Sequence, residues 1–335
     1  MNSVRVAAGS PGGGTLRPME AETTTPRRLL LARPRGYCAG VERAVDTVER
    51  LLEEHGAPVY VRKQIVHNIH VVRRLEQRGA VFVESEDEVP PGATVVLSAH
   101  GVAPSVHENA ARRGLHAIDA TCPLVTKVHN EAKRFAARGY RIFLIGHAGH
   151  EEVVGTMGEA PDAITLVQNV DDVAALADPG TELLAYVTQT TLSVDETTTI
   201  IAALSARFPT ITAPPKDDIC YATTNRQLAV KSLARQVDLV LVIGSANSSN
   251  SQRLVDVTRD LGVPAYLIDD ETHIQEQWLW GVGTVGITSG ASAPEWLVVR
   301  VVEWFRARGV AEIDEHDVIK ESVHFALPRG VRSLA

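Results

Sequence analysis

Only three of the 335 residues in this chain are cysteines, and all three occupy the same kind of place. Cys122 lies in Ala117-Ile-Asp-Ala-Thr-Cys-Pro-Leu-Val-Thr-Lys-Val-His129, where a short β-prone run ends and Pro123 opens an amphipathic helix. Proline is preorganised for the first helical position, and Asp119 or Thr121 just before it can cap. Free backbone N–H groups and the positive end of the helix dipole then lie near the sulfur. That setting favours thiolate over thiol and suits a ligand or a nucleophile. A lone cysteine is more commonly a buried apolar residue, but Cys38 and Cys220 repeat the pattern. Cys38, in Arg35-Gly-Tyr-Cys-Ala-Gly-Val-Glu-Arg43, again stands between a short apolar run and an amphipathic helix, and Cys220, in Asp217-Asp-Ile-Cys-Tyr-Ala-Thr-Thr-Asn225, again just precedes a helix. Core cysteines would scatter through strands and helices, so the three are expected to form one site. They cannot all pair as disulfides and no secretory signal precedes them, which points to a cytosolic metal or redox site.

The elements that must position them follow from the pattern after Leu29. Apolar runs of strand length are expected at 29–33, 58–62, 80–83, 94–98, 116–119, 140–145, 164–167, 183–188, 238–244, 265–268 and 284–287. They alternate with helical periodicity at 41–55, 68–78, 104–113, 123–138, 193–207, 222–236, 248–261 and 294–307. This is the signature of α/β units around largely parallel sheets. Eleven strands are many for one sheet, and the cysteines are 84 and 98 residues apart. Three similar α/β domains are expected, at 28–121, 122–215 and 216–310, each bringing one cysteine to a common centre. The N-terminal strand is a candidate to join the third. Residues 1–27 are rich in Gly, Pro and Thr, lack an apolar segment, and are expected as a disordered extension. Residues 311–335 are expected as an arm packing over the rest.

Composition sets limits. Hydrophobic residues make up 44% and charged residues 22%, ordinary for a globular protein. A net charge of −8 without a basic, aromatic-laced stripe argues against a nucleic-acid partner. The longest apolar runs are far short of a membrane span. Any binding of phosphate must therefore be local. Five polar loops, Leu97–Gly101, Ile145–Glu152, Val187–Thr191, Ile243–Asn250 and Gly286–Ser292, follow expected strands. In open α/β sheets ligands bind outside the carboxyl ends of the strands. Gly, Ser, Thr, Asn and His there supply donors at helix N-termini, the chemistry of a phosphate or diphosphate site. Turn and capping chemistry accounts for any single loop; five in one chain argue for a ligand. Of twelve histidines, His67, His100 and His150 are the candidates for ligand contact, and Glu152 can serve the same pocket as a proton donor. His55, His116, His273 and His316 read as surface or packing residues. Neither a P-loop nor a dinucleotide fingerprint is present.

Taken together, GYCAGVERAV, IVHN, SAHGV, DATCPLVTKVH, GHEEVVGTMGE, TQTTLS, CYATTNRQ, SANSSNSQRL and GITSGASAPEW resemble the 4-hydroxy-3-methylbut-2-enyl diphosphate reductases of the LytB family, in family order over about 28–310. The resemblance implies three α/β domains around a central, oxygen-sensitive 4Fe–4S cluster. There would be one cluster per chain, held by Cys38, Cys122 and Cys220, with one iron not ligated by cysteine. It implies two-electron reductive dehydroxylation of an isoprenoid diphosphate to isopentenyl and dimethylallyl diphosphate, the last step of the non-mevalonate route. The diphosphate would be held by His67, His100 and His150 together with Ser248, Ser249, Asn250 and Ser292. Thr190 and Thr223 would lie near the hydroxyl end, and Glu152 would supply protons. The implied electron donor is a ferredoxin or flavodoxin, and the implied compartment is the cytoplasm. The family's usual His-Pro-Glu is His150-Glu151-Glu152 here, which leaves the two functional positions in place.

Two other classes fit part of the pattern. A zinc hydrolase would use the cysteines with an activated water, but they lack the close C-x₂-C spacing of structural zinc sites, and a catalytic zinc has no need of five donor loops. An iron–sulfur sensor would carry a DNA-binding or partner module, and neither a basic helix nor a helix-turn-helix pattern is found.

Overall fold

A computed structural model describes residues 25–332; apart from its last three residues, the extension expected over 1–27 lies outside them. Three parallel sheets form the frame. One runs β3 (Ala80–Val83), β2 (Val59–Arg62), β4 (Thr94–Leu97), β5 (His116–Asp119). A second runs β7 (Ile164–Val167), β6 (Arg141–Ile145), β8 (Leu184–Thr188). The third runs β10 (Ala265–Ile268), β9 (Leu239–Ile243), β11 (Thr284–Ser289), β1 (Arg28–Arg33), β12 (Glu312–Asp317). Every pairing between these strands is parallel.

Side chains alternate across a strand, and the central strands of the third sheet, β9, β11 and β1, bury both faces. Leu29 and Leu31 pack with Leu239, Leu241 and Phe305 on one face of the third sheet. Leu30 and Ala32 pack with Val240, Val242 and Leu254 on the other. Each fully buried Leu, Ile or Val contributes about 1.5–3 kcal/mol, so the sheets are the rigid parts. The loops at their carboxyl ends inherit fixed positions.

One difference from the sequence reading concerns the C-terminal end. β1, the candidate to join the third unit, pairs with β11 and β12 in the third sheet. The expected C-terminal arm begins instead as β12, an edge strand. Its sequence, Glu-Ile-Asp-Glu-His-Asp, has no apolar alternation to reveal it. It is held by the backbone ladder to β1 and by ion pairs from Arg28 to Asp314 (2.8 Å) and from Arg33 and Arg35 to Glu315 (2.9 and 2.6 Å). Among the described residues no helix is long and apolar enough to cross a membrane.

Candidate active site

The three sheets turn their carboxyl ends toward one cavity. All thirteen residues singled out above line it: Cys38, Cys122, Cys220, His67, His100, His150, Glu152, Thr190, Thr223, Ser248, Ser249, Asn250 and Ser292.

Each cysteine occupies the N-cap position of a helix: Cys38 before Ala39–His55, Cys122 before Pro123–Ala137, and Cys220 before Tyr221–Ala234. Asp119 does not cap the middle one but accepts from Thr121 N at 2.8 Å. Each cysteine N–H is tied to a neighbouring polar loop. Cys38 donates to Ala291 O (3.2 Å), Cys122 to Ala99 O (3.0 Å) and Cys220 to Thr190 O (3.1 Å). Sulfur and donor loop are therefore fixed together three times over.

Two of the thiols, those of Cys122 and Cys220, do not behave as the helix ends alone would dictate. Burial, then the charge of Cys38, pushes the Cys122 thiol up to about 12, against hydrogen bonds from the N–H groups of Leu124 and Val125. Burial and Cys38 likewise push Cys220 up to about 11, against hydrogen bonds from Thr223. The expected bias toward thiolate is outweighed, because low dielectric and mutual repulsion exceed the dipole. Thiols so buried become thiolate when a cation compensates them, and three cysteines lining one cavity are a donor set that fits a metal group. Among the described residues no three of His, Cys, Asp and Glu are arranged to hold a single metal ion. Three sulfurs that share a cavity but not a point suit an iron–sulfur cluster better than one zinc. Gly40 keeps room between two of them. A Cβ there would come 2.6 Å from Cys122 Sγ and 3.9 Å from Cys38 Sγ.

The histidines form a second feature. His67 stacks on His100 with centroids 3.8 Å apart, and His150 stands edge-on to both at 5.3 and 5.9 Å. Burial lowers His67 to about 4. Burial and the neighbouring His67 and His147 lower His150 to about 3. Burial, His67 and His150 hold His100 well below its ordinary value. All three are neutral donors at neutral pH, and an arriving anion favours their protonated forms. His100 Nδ1 is buried without a partner, a group that a ligand can satisfy. Ser248, N-cap of Ser249–Asp260, accepts from Ser251 N (3.3 Å) and Ser251 Oγ (3.0 Å), which leaves its own proton for a ligand. Ser292 donates to His67 O at 2.9 Å, Ser249 donates to Thr191 O at 3.1 Å, and Asn250 accepts from Ala291 N at 2.9 Å. These side chains brace one another as well as facing the cavity.

Glu152, expected in a loop, sits in the first turn of a helix, Glu151–Gly158, whose N-cap is His150. His150 Nδ1 accepts from Glu152 N at 3.2 Å. The carboxyl is buried and receives Thr190 N on Oε1 (2.6 Å) and Thr190 Oγ1 on Oε2 (3.0 Å). Burial raises it to about 7, the Thr190 hydrogen bonds oppose this, and the charge of Asp218 adds to it. A carboxyl half-protonated near neutrality can act as a general acid.

Sequence reasoning missed Thr191, which lines the cavity. It also missed Asp218, a buried carboxylate that accepts from Thr188 N and from Lys127 Nζ, both at 2.9 Å. The pair Asp217-Asp218 beside Cys220 was the available signal, since a carboxylate next to a ligand loop tunes its charge.

The sequence model of the LytB protein family matches residues 29–306. A 4-hydroxy-3-methylbut-2-enyl diphosphate reductase of Acidothermus cellulolyticus is 60% identical over 314 residues, 93% of this chain and 92% of that one. The enzyme of the same name from Mycolicibacterium paratuberculosis is 57% identical over 329 residues, 98% of each chain. Among solved structures, an E-1-hydroxy-2-methyl-but-2-enyl-4-diphosphate reductase from Plasmodium falciparum superposes with a TM-score of 0.90 at 40% identity, covering 92% of this chain and 98% of that chain. An (E)-4-hydroxy-3-methyl-but-2-enyl diphosphate reductase, described as the terminal enzyme of the non-mevalonate pathway, gives 0.61 at 33% identity, covering 84% and 99%.

Proposed function

The chain belongs to the LytB protein family, and from that premise we propose how its cavity works. The activity is the reduction of 4-hydroxy-3-methylbut-2-enyl diphosphate to isopentenyl and dimethylallyl diphosphate, the terminal step of non-mevalonate isoprenoid synthesis. The allylic C–O bond breaks, two electrons and two protons are taken up, and the oxygen leaves as water.

Cys38, Cys122 and Cys220 hold an iron–sulfur cluster, in our reading one 4Fe–4S cluster per chain with one iron lacking a cysteine. When bound, that group supplies the two electrons, drawn from a ferredoxin or flavodoxin in the cytoplasm. His67, His100 and His150 receive the diphosphate by hydrogen bonds that strengthen as the imidazoles protonate. Ser248, Ser249, Asn250 and Ser292 complete the grip from the third sheet's loops. Convergent uncharged donors suit a chain whose overall charge repels an anion. Thr190 and Thr223 serve the hydroxyl end: Thr223 Oγ1 is 3.2 Å from Cys220 Sγ and accepts from Asn250 Nδ2 at 3.3 Å. Glu152, held by Thr190, gives its proton to the departing oxygen, and a proton then reaches one or the other allylic carbon. The apolar lining of Val41, Val66, Ala99, Leu124 and Val125 excludes water from the reacting carbons.

The observation that carries this reading is the meeting of three helix-capping cysteines, three histidines in mutual ring contact and a protonatable glutamate in one cavity. Anaerobic purification with iron and sulfide analysis, followed by a reductase assay on the allylic diphosphate, tests it. Both isomeric products should form only with iron-loaded protein. Turnover by zinc-loaded, iron-free protein would overturn it.

A further inference from the structure

Three basic side chains stand five or six residues after the three cysteines, in the second turn of each cysteine-capped helix, and each reaches the next cysteine's loop. Arg43, on the Cys38 helix, donates through Nη1 to Thr121 O at 3.0 Å, the residue before Cys122. Lys127, on the Cys122 helix, donates to Lys216 O (2.7 Å), Asp217 O (3.0 Å) and Asp218 Oδ1 (2.9 Å), just before Cys220. Arg226, on the Cys220 helix and fully buried, donates through Nη2 to Gly36 O at 2.7 Å, two residues before Cys38. The three contacts close a circuit, from the Cys38 helix to the Cys122 loop, on to the Cys220 loop and back to the Cys38 loop.

The chain's last segment covers two of these cations. Arg43 Nε donates to Ala326 O at 2.9 Å. Glu321 accepts from Arg226 Nη1 at 3.1 Å and from Asn225 Nδ2 at 3.0 Å.

We propose that Arg43, Lys127 and Arg226 form a closed ring of positioning residues that fixes the three sulfur-bearing loops relative to one another. The proposal rests on the reading that these cysteines hold the cluster. The physical need is plain. The sulfurs come from loops at the ends of different sheets, and three thiolates repel. A multidentate metal site depends on ligand spacing fixed by hydrogen-bonded neighbours. Carbonyl oxygens beside each cysteine are the handles, and a charged donor on a carbonyl gives a shorter and stronger bond than a neutral one.

The test uses full-length chain loaded with cluster under anaerobic conditions and challenged with excess iron chelator. Iron release and bleaching of the visible absorption are followed in time. Arg43→Gln, Lys127→Met and Arg226→Met should each release iron roughly 10–100-fold faster than wild type, the range seen when partners of metal ligands are removed. Lys127→Arg, which keeps a donor on the same carbonyls, should restore slow release. Arg62→Met, which breaks the Arg62–Glu86 pair (2.8 Å) away from the cysteines, should release iron at the wild-type rate. Because Arg226→Met strips a buried network and can prevent folding, the half-buried Arg43 and Lys127 carry the decision. Wild-type release in both Arg43→Gln and Lys127→Met would overturn the proposal, as would equal acceleration in Arg62→Met. Cys122→Ser separates the two readings. Undiminished iron in Cys122→Ser sinks the ligation reading; iron loss there with tight retention in the cation variants sinks the ring alone.

Discussion

Replacing Thr190 by valine makes the sharpest statement about the proton donor. The Thr190 hydroxyl donates to Glu152 Oε2 at 3.0 Å while the Thr190 backbone N–H donates to Oε1 at 2.6 Å. Both bonds favour the carboxylate, and both oppose the burial that raises Glu152 to about 7. Valine keeps the shape and the backbone bond but removes the hydroxyl. A hydrogen bond to a charged group is worth about 1.5–3 kcal/mol. At about 1.4 kcal/mol per pKa unit, its loss should raise Glu152 by one to two units. A general acid works when protonated, so kcat/KM falls as pH rises through that value. The falling limb should therefore move upward, from near pH 7 toward roughly pH 8–9. Thr190→Ser, with its hydroxyl intact, should keep the wild-type limb. Comparing variants on one substrate cancels the diphosphate's own titration. A limb that stays in place in Thr190→Val, or moves to lower pH, would refute Glu152 as the group that titrates.

Other outcomes follow from the same geometry. Glu152→Gln should lower turnover by roughly 10²–10⁴-fold with cluster content and substrate affinity little changed. Glu151→Gln should stay close to wild type, because Glu151 reaches out to Lys63 at 3.8 Å and not into the cavity; equal behaviour of the two variants would remove the assignment. Gly40→Ala should impair cluster loading as read by iron content, since its Cβ would meet Cys122 Sγ at 2.6 Å; normal loading would show that the sulfurs move freely. Burial holds His67 near 4 and His150 near 3, so the folded chain binds fewer protons than the unfolded one below about pH 6.5. Stability should therefore fall as pH drops through that window, and diphosphate binding should draw protons in. Calorimetry in buffers of different ionisation enthalpy should show proton uptake near pH 6.5, smaller in His67→Asn; proton release on binding contradicts the role given to the trio.

The sequence was most legible where apolar periodicity and capping chemistry coincide. Each of the eleven apolar strands expected from it is present, because each is a short Val-, Ile- or Leu-rich run bounded by polar turns. The cysteine positions were legible for the same reason: a sulfur between a strand or loop and an amphipathic helix has little choice but to cap. What was hidden carries no local pattern. β12 is polar but for Ile313, and its pairing with β1 is a contact between segments more than 280 residues apart. The helix Glu151–Gly158 was read as loop, since Gly155 and Gly158 lower its helix propensity. Those glycines are explained by packing: a Cβ at Gly155 would lie 3.3 Å from Gly101 O, and one at Gly158 would lie 2.3 Å from Ala103 Cβ. The thiol chemistry was read from helix dipoles alone, and burial, which sequence does not display, outweighed them. Arg43, Lys127 and Arg226 carry no sequence signal of their own; only the tertiary structure brings each to another cysteine's loop.

The central claim is that Cys38, Cys122 and Cys220 together hold one redox cluster in the cavity that also binds the diphosphate. The most direct measurement is the iron and sulfide content of wild type and of the three single Cys→Ser chains, each purified anaerobically and assayed for reduction of the allylic diphosphate. The account predicts that wild type carries the cluster and turns over, and that each variant loses most of its iron and its activity together. A variant that keeps its full iron content, or one that loses its iron yet still reduces the substrate, would contradict it.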